Sequence, residues 1–596
     1  MLNLEKSRLD YGVMLQAPKG FKLDFALGST YSLDLLALLS IPVALFYAKD
    51  LDGTARAERM DIFAAIQKTT QHLKIYCQKG KIADSKHNVL IGFIEDCVTE
   101  ILPTKYSTSF HPKVWILRFT GVNDKVLYRT IVLSRNLTFD RSLDISYRSE
   151  GFVSDKKQPR NKPLVDFATY LNNQDSFDNS KVFLADLAKV DFQEAIPFEQ
   201  QLFHPMGIDG YSNPFLKPQG FGQLLIISPF LSKEALEKFS DKDMANGKRY
   251  LFSREEELAQ IDSKTLAPFE CYALSNLIVD PIEELEDDSE VEATDLPADR
   301  THNLHAKMFI GEKQKTNHWF LGSANCSSAA LRNNQEFLIE LIGEDERISI
   351  DNVLIDLLGP EDNRNGFFEK YESKTREIKL NTDIDFRKVT AHFLLFVKKE
   401  GLDIKLDEDE NERYTISILL ASKFDTSLAD YSISLAPHGC QEEMQILTYD
   451  STCIFRNISL HNLSTFLRVR ISKDKESETF LTKIDIELPE KRMDNIIKSI
   501  ISNRENFFRL LQFLLGDTSV ESFVSNEDAK NKGGKNGGHW LTNKPILEKF
   551  MKAASRNPTA LKDIQAVIIK LGDDPKNEII PPDFLEFWSV FQKRIK

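Results

Sequence analysis

Two stretches of this chain, about two hundred residues apart, carry the same residue types in the same order. The first reads SFHPKVWILRF and then LYRTIVLSRNLTFD; the second reads NLHAKMFIGEK and then NHWFLGSANCSS. In each, a His-x-Lys opens an apolar run and a second such run ends in a small-polar segment with an Asn. His111, Lys113 and Asn136 form one set; His305, Lys307 and Asn325 form the other. Alternation along a strand puts His and Lys of such a motif on one face, and an adjacent strand can bring the Asn to it. Facing triplets would gather two imidazoles, two ammonium groups and two amides around one anion. Phosphodiester chemistry needs that set: a nucleophile, a proton donor for the leaving oxygen, and fixed positive charge on the non-bridging oxygens. One His-x-Lys is expected by chance in a chain with eleven His, so the joint occurrence carries the reading.

The elements that must hold these residues follow from texture. Up to about residue 345, helical stretches such as Ala55 to Lys79 alternate with β-rich runs at Asn88 to Phe93, Val114 to Phe119, Tyr128 to Leu133 and Leu224 to Ser228, which predicts α/β layers over a buried sheet. Leu35 to Ala48 reads as a buried core helix and strand. From Asp383 to Pro489, runs at His392 to Val397, Tyr414 to Ala421, Ser432 to Ala436, Phe466 to Ile471 and Phe480 to Leu488 predict a β-sandwich. Beyond Glu490 the spacing turns helical. The expected units are 1–160, 161–382, 383–489 and 490–596. Glu283 to Asp299 is an acidic connector, read as a solvated loop or as a screen over a phosphate groove, and Asn526 to Gly538 is a Lys/Asn/Gly-rich loop.

Composition narrows the classes. At 596 residues and 42% hydrophobic the chain is long enough for several cores, and its net charge of −14 requires any nucleic-acid contact to come from a local basic groove. Lys156, Lys157, Arg160 and Lys162 form one basic cluster, either a solvated loop or a phosphate track. Six scattered Cys without a CxxC pair favour a reducing cytoplasm over a disulfide scaffold or thiolate zinc site. His302 and His305 with Cys326 lack a fourth ligand at sensible spacing, so no metal is expected, and Cys326 reads as a packing residue. No phosphate-binding loop or dinucleotide fingerprint occurs, so no cofactor is expected. The longest apolar stretch is short of the ~20 residues of a bilayer span.

The paired motifs resemble the phospholipase D superfamily, whose mark is two HxK motifs followed by GSxN. The second copy matches through His305-Ala-Lys307, Glu312 where Asp is usual, Gly322-Ser323-Ala324-Asn325, and Glu336 eleven residues beyond the Asn. The first departs, with Arg118 at the Asp position and Ser134-Arg135-Asn136 in place of GSxN; loss of that Asp is similar to the tyrosyl-DNA phosphodiesterase branch. Leu224 to Phe230 looks like the strand opening the second half in this superfamily. The resemblance covers roughly residues 1 to 345 and implies a duplicated α/β/α sandwich, followed here by the β-sandwich and a small α-helical domain. It also implies a metal-free two-step reaction. His111 attacks phosphorus, His305 protonates the leaving oxygen, and Lys113, Lys307, Asn136 and Asn325 hold the phosphoryl oxygens with Ser134 and Ser323 beside them. Glu336 and Glu150 are the expected orienting carboxylates.

DNA is the favoured substrate, because neither a basic amphipathic helix nor a lipidation motif equips the chain for a membrane. A phospholipase and a non-catalytic DNA-binding or assembly subunit are the competing classes. The layout is similar to prokaryotic members found with restriction and phage-defence genes. A motor ATPase or helicase subunit of the same system is the partner expected for residues 383–596, with self-association as the rival.

Overall fold

The runs that read as strands after His111 do pair: in a computed structural model of the protein, Val114–Gly121 and Val126–Leu133 form an antiparallel hairpin. The structure describes residues 11–46, 66, 69–103, 108–139, 142–275, 303–360, 366–372, 386–501, 504, 507–508, 511, 550, 558–571 and 579–595. Both connectors noted above, His302, and most of Ala55 to Lys79 lie outside them.

The strands of the first part are β1 Phe21–Thr30, β2 Leu73–Gln78, β3 Ile82–Ala83, β4 Val98–Ile101, β5 Val114–Gly121, β6 Val126–Leu133, β7 Ser142–Leu143, β8 Ser146–Val153 and β9 Val190–Gln193. Seven of them form a mixed sheet in the order β4-β2-β1-β5-β6-β8-β9. Next come β10 Gln200–Met206, β11 Gln223–Ile227, β12 Arg249–Ser253, β13 Glu270–Leu274, β14 Asn303–Leu304, β15 Met308–Lys313, β16 Thr316–Gly322, β17 Glu336–Gly343 and β18 Phe368–Lys370. They build an eight-stranded sheet, β10-β17-β16-β15-β11-β12-β13-β18. The stretch β4-β2-β1-β5-β6-β8 and the stretch β13-β12-β11-β15-β16-β17 share one pattern, three parallel strands continued by three antiparallel ones. β7 and β14 pair with each other in parallel and tie the two parts together.

The sheets share an inner core. Leu27, Tyr76, Ile116, Tyr128 and Val132 from the first meet Leu225, Met308, Ile310, Leu321 and Ile339 from the second. Helix Lys162–Gln174 belongs to it because Leu164, Phe167, Ala168 and Leu171 fall on one face at helical spacing and are all buried.

After helix Phe386–Glu400 come β19 Leu402–Glu408, β20 Arg413–Leu420, β21 Ser432–Pro437, β22 Gln445–Ile446, β23 Cys453–Ser459, β24 Phe466–Lys473 and β25 Glu476–Lys483. A three-stranded sheet β19-β20-β23 and a five-stranded sheet β22-β21-β24-β25-β3 close over one core with that helix. β3, from the first part of the chain, is the edge strand of the second of these sheets. Helices Lys491–Ile500, Pro558–Leu571 and Pro582–Ile595 then contribute Ile496, Ile497, Ile564, Phe584 and Trp588 to the same core as Trp115, Leu117 and Ile131 on the outer face of the seven-stranded sheet. A buried ion pair pins this contact: Arg492 donates from both terminal nitrogens to Glu95 at 2.9 and 3.0 Å. Glu95 also accepts from the Ser464 hydroxyl, and Lys483 donates to the carbonyls of Glu95 and Val98.

Four segments differ from the sequence reading. Residues 73–78 of the expected helix form β2, because LKIYCQ is flanked by β1 and β4 and buried on both faces. Asn88 to Phe93 is a turn leading into helix Ile91–Ile94. Leu35 to Phe46 is one helix that contains Pro42. His392 to Val397 lies in helix Phe386–Glu400, where Val389, Phe393 and Leu394 make the buried stripe. No helix of the described residues is long and apolar enough to cross a membrane.

Candidate active site

Both His-x-Lys segments sit just ahead of a strand rather than inside one. β5 begins at Val114 and β15 at Met308, so each Lys turns back onto its own motif. Lys113 donates to the His111 carbonyl at 3.1 Å, and Lys307 donates to the His305 carbonyl at 2.8 Å. The backbone frame repeats residue by residue. Leu133 N donates to Lys113 O and Gly322 N to Lys307 O. The buried Ser134 hydroxyl accepts from Ile145 N at 2.8 Å, and the buried Ser323 hydroxyl accepts from Phe337 N at 2.9 Å. The Thr30 hydroxyl accepts from Leu137 N while donating to Ser32 O; the Ser228 hydroxyl accepts from Cys326 N while donating to Phe230 O.

Each motif is anchored by the other half. The His111 amide donates to Gln335 O, beside Glu336, and Phe110 bridges to Gln335. The His305 amide donates to Leu143 O, beside Asp144, and Leu304 pairs with Leu143. The His111 ring donates from Nδ1 to Glu336 at 2.8 Å. Glu336 is fully buried and receives further hydrogen bonds from the Ser323 hydroxyl and the Asn334 amide.

That arrangement fixes the protonation states. Burial pushes the Glu336 carboxyl up, but His111, Lys113 and the Ser323 hydroxyl together bring it below the ordinary carboxylate value, so it is ionised. Burial holds His111 down at about 4; Glu336 opposes that shift, and Lys113 and Lys307 add to it. The ring is therefore neutral at pH 7, with Nδ1 donating to Glu336, and the Lys113 ammonium lies against it, 3.0 Å from Nε2 and 3.3 Å from Nδ1. Lys113 and Lys307 are 2% and 3% exposed. Burial, and then the neighbouring Lys307, hold the Lys113 ammonium well below its usual value. An anion bound between these two buried amines would favour their charged forms.

Asn136 accepts weakly from the Ser32 amide through Oδ1, leaving its NH2 as the donor end. The Asn325 oxygen is buried and has no hydrogen-bond partner. The Tyr31 ring lies 4.9 Å from the His111 ring, centroid to centroid, and forms one wall of the site.

The structure thus gathers His111, Lys113, Lys307 and Glu336 directly, and the repeated frame puts His305, Asn136 and Asn325 in matching places. Other expected site residues lie elsewhere. Glu150 pairs across the sheet with Arg129, whose Nε donates to it at 2.6 Å on the outer face, four residues along β8 from the end that carries the site. Ser134 and Ser323 are buried and spend their hydroxyls on backbone amides and Glu336, so they position neighbours rather than touch substrate. Lys156, Lys157 and Arg160 follow the far end of β8. Leu133 marks the site end and Leu127 the other, about 20 Å away at strand rise, and Arg160 is committed to Asp191 and Glu194. Arg118 pairs with Asp24 and Asp186, and Glu312 accepts from the first amide of helix Ile350–Leu358.

Sequence reasoning missed Asp144. It precedes Ile145 as Glu336 precedes Phe337, and the repeated bonds of Ser134 and Leu143 give it the place along the chain that Glu336 has in the other copy; its carboxylate lies 3.3 Å from the Arg135 guanidinium. It follows its Asn by eight residues instead of eleven because helix Ser328–Arg332 lengthens the second loop, so counting from the Asn overshoots. The signal available was the acidic residue two before β8. The Cys326 thiol is fully buried, and burial raises it far above its normal value, which fits packing. Among the described residues no three His, Cys, Asp or Glu side chains gather as a metal site requires.

No family model and no curated protein matches the chain. Solved structures similar to it include yeast tyrosyl-DNA phosphodiesterase, 12% identical over 56% of this chain and 85% of that one with a TM-score of 0.32. Others are a polyphosphate kinase from Porphyromonas gingivalis (10%, 63% and 51%, TM-score 0.31) and a phosphatidylserine synthase from Haemophilus influenzae Rd KW20 (10%, 63% and 89%, TM-score 0.30). The functional reading rests on the chain's own residues.

Proposed function

We propose that the chain is a metal-independent phosphodiesterase of the phospholipase D type, acting on DNA through a covalent phosphohistidine. The observation that carries this is the buried convergence of Lys113 and Lys307 beside a neutral His111 whose Nδ1–H is fixed on an ionised Glu336. A bound diester offers Lys113 a non-bridging oxygen. Nε2 of His111 attacks phosphorus, and the P–O bond to the leaving group breaks as His305, in its protonated form, gives its proton to the departing oxygen. Water then attacks phosphorus and gives its proton to His305 as the P–N bond breaks, its electron pair returning to Nε2 so that His111 is released neutral. Lys113, Lys307 and the two Asn amides hold the charge on the phosphoryl oxygens in both steps.

The biological setting we propose is that of a defence effector working beside a motor ATPase of the same system, on the resemblance of its motif layout to prokaryotic nuclease-like members. The direct test is cleavage of labelled single- and double-stranded DNA by the full chain, run beside a phosphatidylcholine assay. His111→Ala and His305→Ala are each expected to abolish cleavage, and EDTA to leave it intact. Activity lost on chelation and restored by Mg²⁺ or Mn²⁺ would refute the metal-free mechanism, and release of choline without DNA cleavage would reassign the substrate.

A further inference from the structure

Phe230 is a large aromatic side chain left 45% exposed at the mouth of the site. Three observations place it there. Ser228, two residues earlier, holds the amide next to Asn325, and Leu231 bridges to Cys326. β11 ends at Ile227 opposite Met308, the residue after Lys307, so Phe230 leaves the sheet at the end that carries the second motif. Arg254 follows β12, the next strand over, and its guanidinium lies 4.4 Å from the Phe230 ring centroid. In the repeated frame the counterpart of Phe230 is Ser32, so the aromatic belongs to the His305 side alone.

The ring is braced rather than loose. Arg254 donates from Nε to the Pro229 carbonyl at 2.8 Å and pairs with Glu257, which also accepts from the Leu231 amide. One face of the ring is covered by this guanidinium, a favourable cation–π arrangement, while nearly half of the side chain meets solvent. β12 lies two strand spacings, about 10 Å, from β15. A nucleotide flanking the scissile phosphate has its base at that range.

We propose that Phe230 is the stacking platform for the base next to the scissile phosphate on the leaving-group side, and that the substrate is accordingly single-stranded DNA. This rests on the phosphodiesterase reading above and adds the strandedness. A base inside a duplex has both faces covered by its neighbours and offers none to Phe230; an unpaired base does. Alanine substitution of such platforms costs roughly five- to hundredfold per base.

The test uses the full-length chain and single-stranded oligonucleotides that carry either normal bases or an abasic residue on each side of a single cleavable phosphate. Wild type is expected to favour the base-bearing substrate by about tenfold in kcat/KM, Phe230→Ala to lose that preference, and Phe230→Trp to keep it. In parallel, His111→Ala protein is titrated with an oligonucleotide carrying 2-aminopurine at the flanking position. Its fluorescence is expected to be quenched on binding, and Phe230→Ala added to that background to abolish the quench. Equal preference in wild type and Phe230→Ala, or an equal quench, would overturn the proposal, as would faster cleavage of duplex than of single strand. Failure of wild type to cut any oligonucleotide while the quench still depends on Phe230 would count against the enzymatic reading and leave the platform standing.

Discussion

Replacing Arg492 with Met should destabilise the whole protein although it lies far from the site in sequence. The Glu95 and Arg492 side chains are 2% and 6% exposed, and two hydrogen bonds join them across a contact spanning 397 residues. Without Arg492 the Glu95 carboxylate keeps the Ser464 hydroxyl at 2.7 Å and the Thr465 amide at 3.4 Å, too little to replace a guanidinium in a dry setting. Loss of one partner of such a pair costs about 3–5 kcal/mol, a large share of the ~5–15 kcal/mol that holds a folded domain. Glu95→Gln should cost a similar amount by stranding Arg492. Glu95→Leu combined with Arg492→Met should recover most of it, since apolar replacement of both partners is often neutral. The assay is urea unfolding of the full chain followed by tryptophan fluorescence, because Trp115 and Trp588 are buried in this shared core. A cost below about 1 kcal/mol for Arg492→Met, or a double variant no better than either single one, would refute the reasoning. The same contact implies that residues 1–382 expressed alone expose Trp115, Leu117 and Ile131 and aggregate, so a truncation is a poor probe of the C-terminal third.

Asp144→Asn should lower kcat by roughly 10²–10⁴-fold with the fold intact, whereas Glu150→Gln should leave kcat within about twofold; steady-state kinetics on one oligonucleotide decides between the two carboxylates. Ser323→Ala removes a donor from a fully buried carboxylate and should cost about 1–3 kcal/mol of stability, together with a rise of the acid limb of the rate profile as Glu336 becomes easier to protonate. With His111 held at about 4 by burial, kcat/KM should persist below pH 6 and fall only near pH 4; an acid limb at 6.5, the unperturbed value for His, would show that the nucleophile is not this buried ring. Burial also depresses His87 to about 4 and His438 to about 3. Such groups stabilise the fold fully above their unfolded value of 6.5 and lose that contribution as pH falls toward the folded value. Acid unfolding should therefore be worth up to about 3 kcal/mol from His87, and His87→Phe should blunt it.

The meeting of His111 with Lys113 and Glu336 was legible because a His-x-Lys is a short, local spacing and Glu336 stands at a counted distance from its Asn. Asp144 was not, since a count along the chain cannot see that the first loop lacks the helix of the second. The apolar run HFLLFV read as a strand because a continuous apolar run has no period of its own; the buried stripe begins earlier, at Val389, where the sequence looks polar. Texture does not show that β3 completes a sheet of the later part of the chain, or that Glu95 pairs with Arg492. Those pairings depend on residues hundreds of positions apart whose types, a carboxylate and a guanidinium, are ordinary surface residues until they are brought together.

Because each motif is braced by the opposite half, the order of synthesis matters. His111 is separated from Glu336 by 225 residues. At about 5–20 residues per second, a ribosome needs roughly ten to forty-five seconds to bridge that gap, and Glu95 gains Arg492 only later still. Throughout that interval the nascent chain carries a His-Lys motif whose imidazole has no carboxylate to set its tautomer. The bracing of His111 is thus completed only after Glu336 has been made, a delay built into the topology.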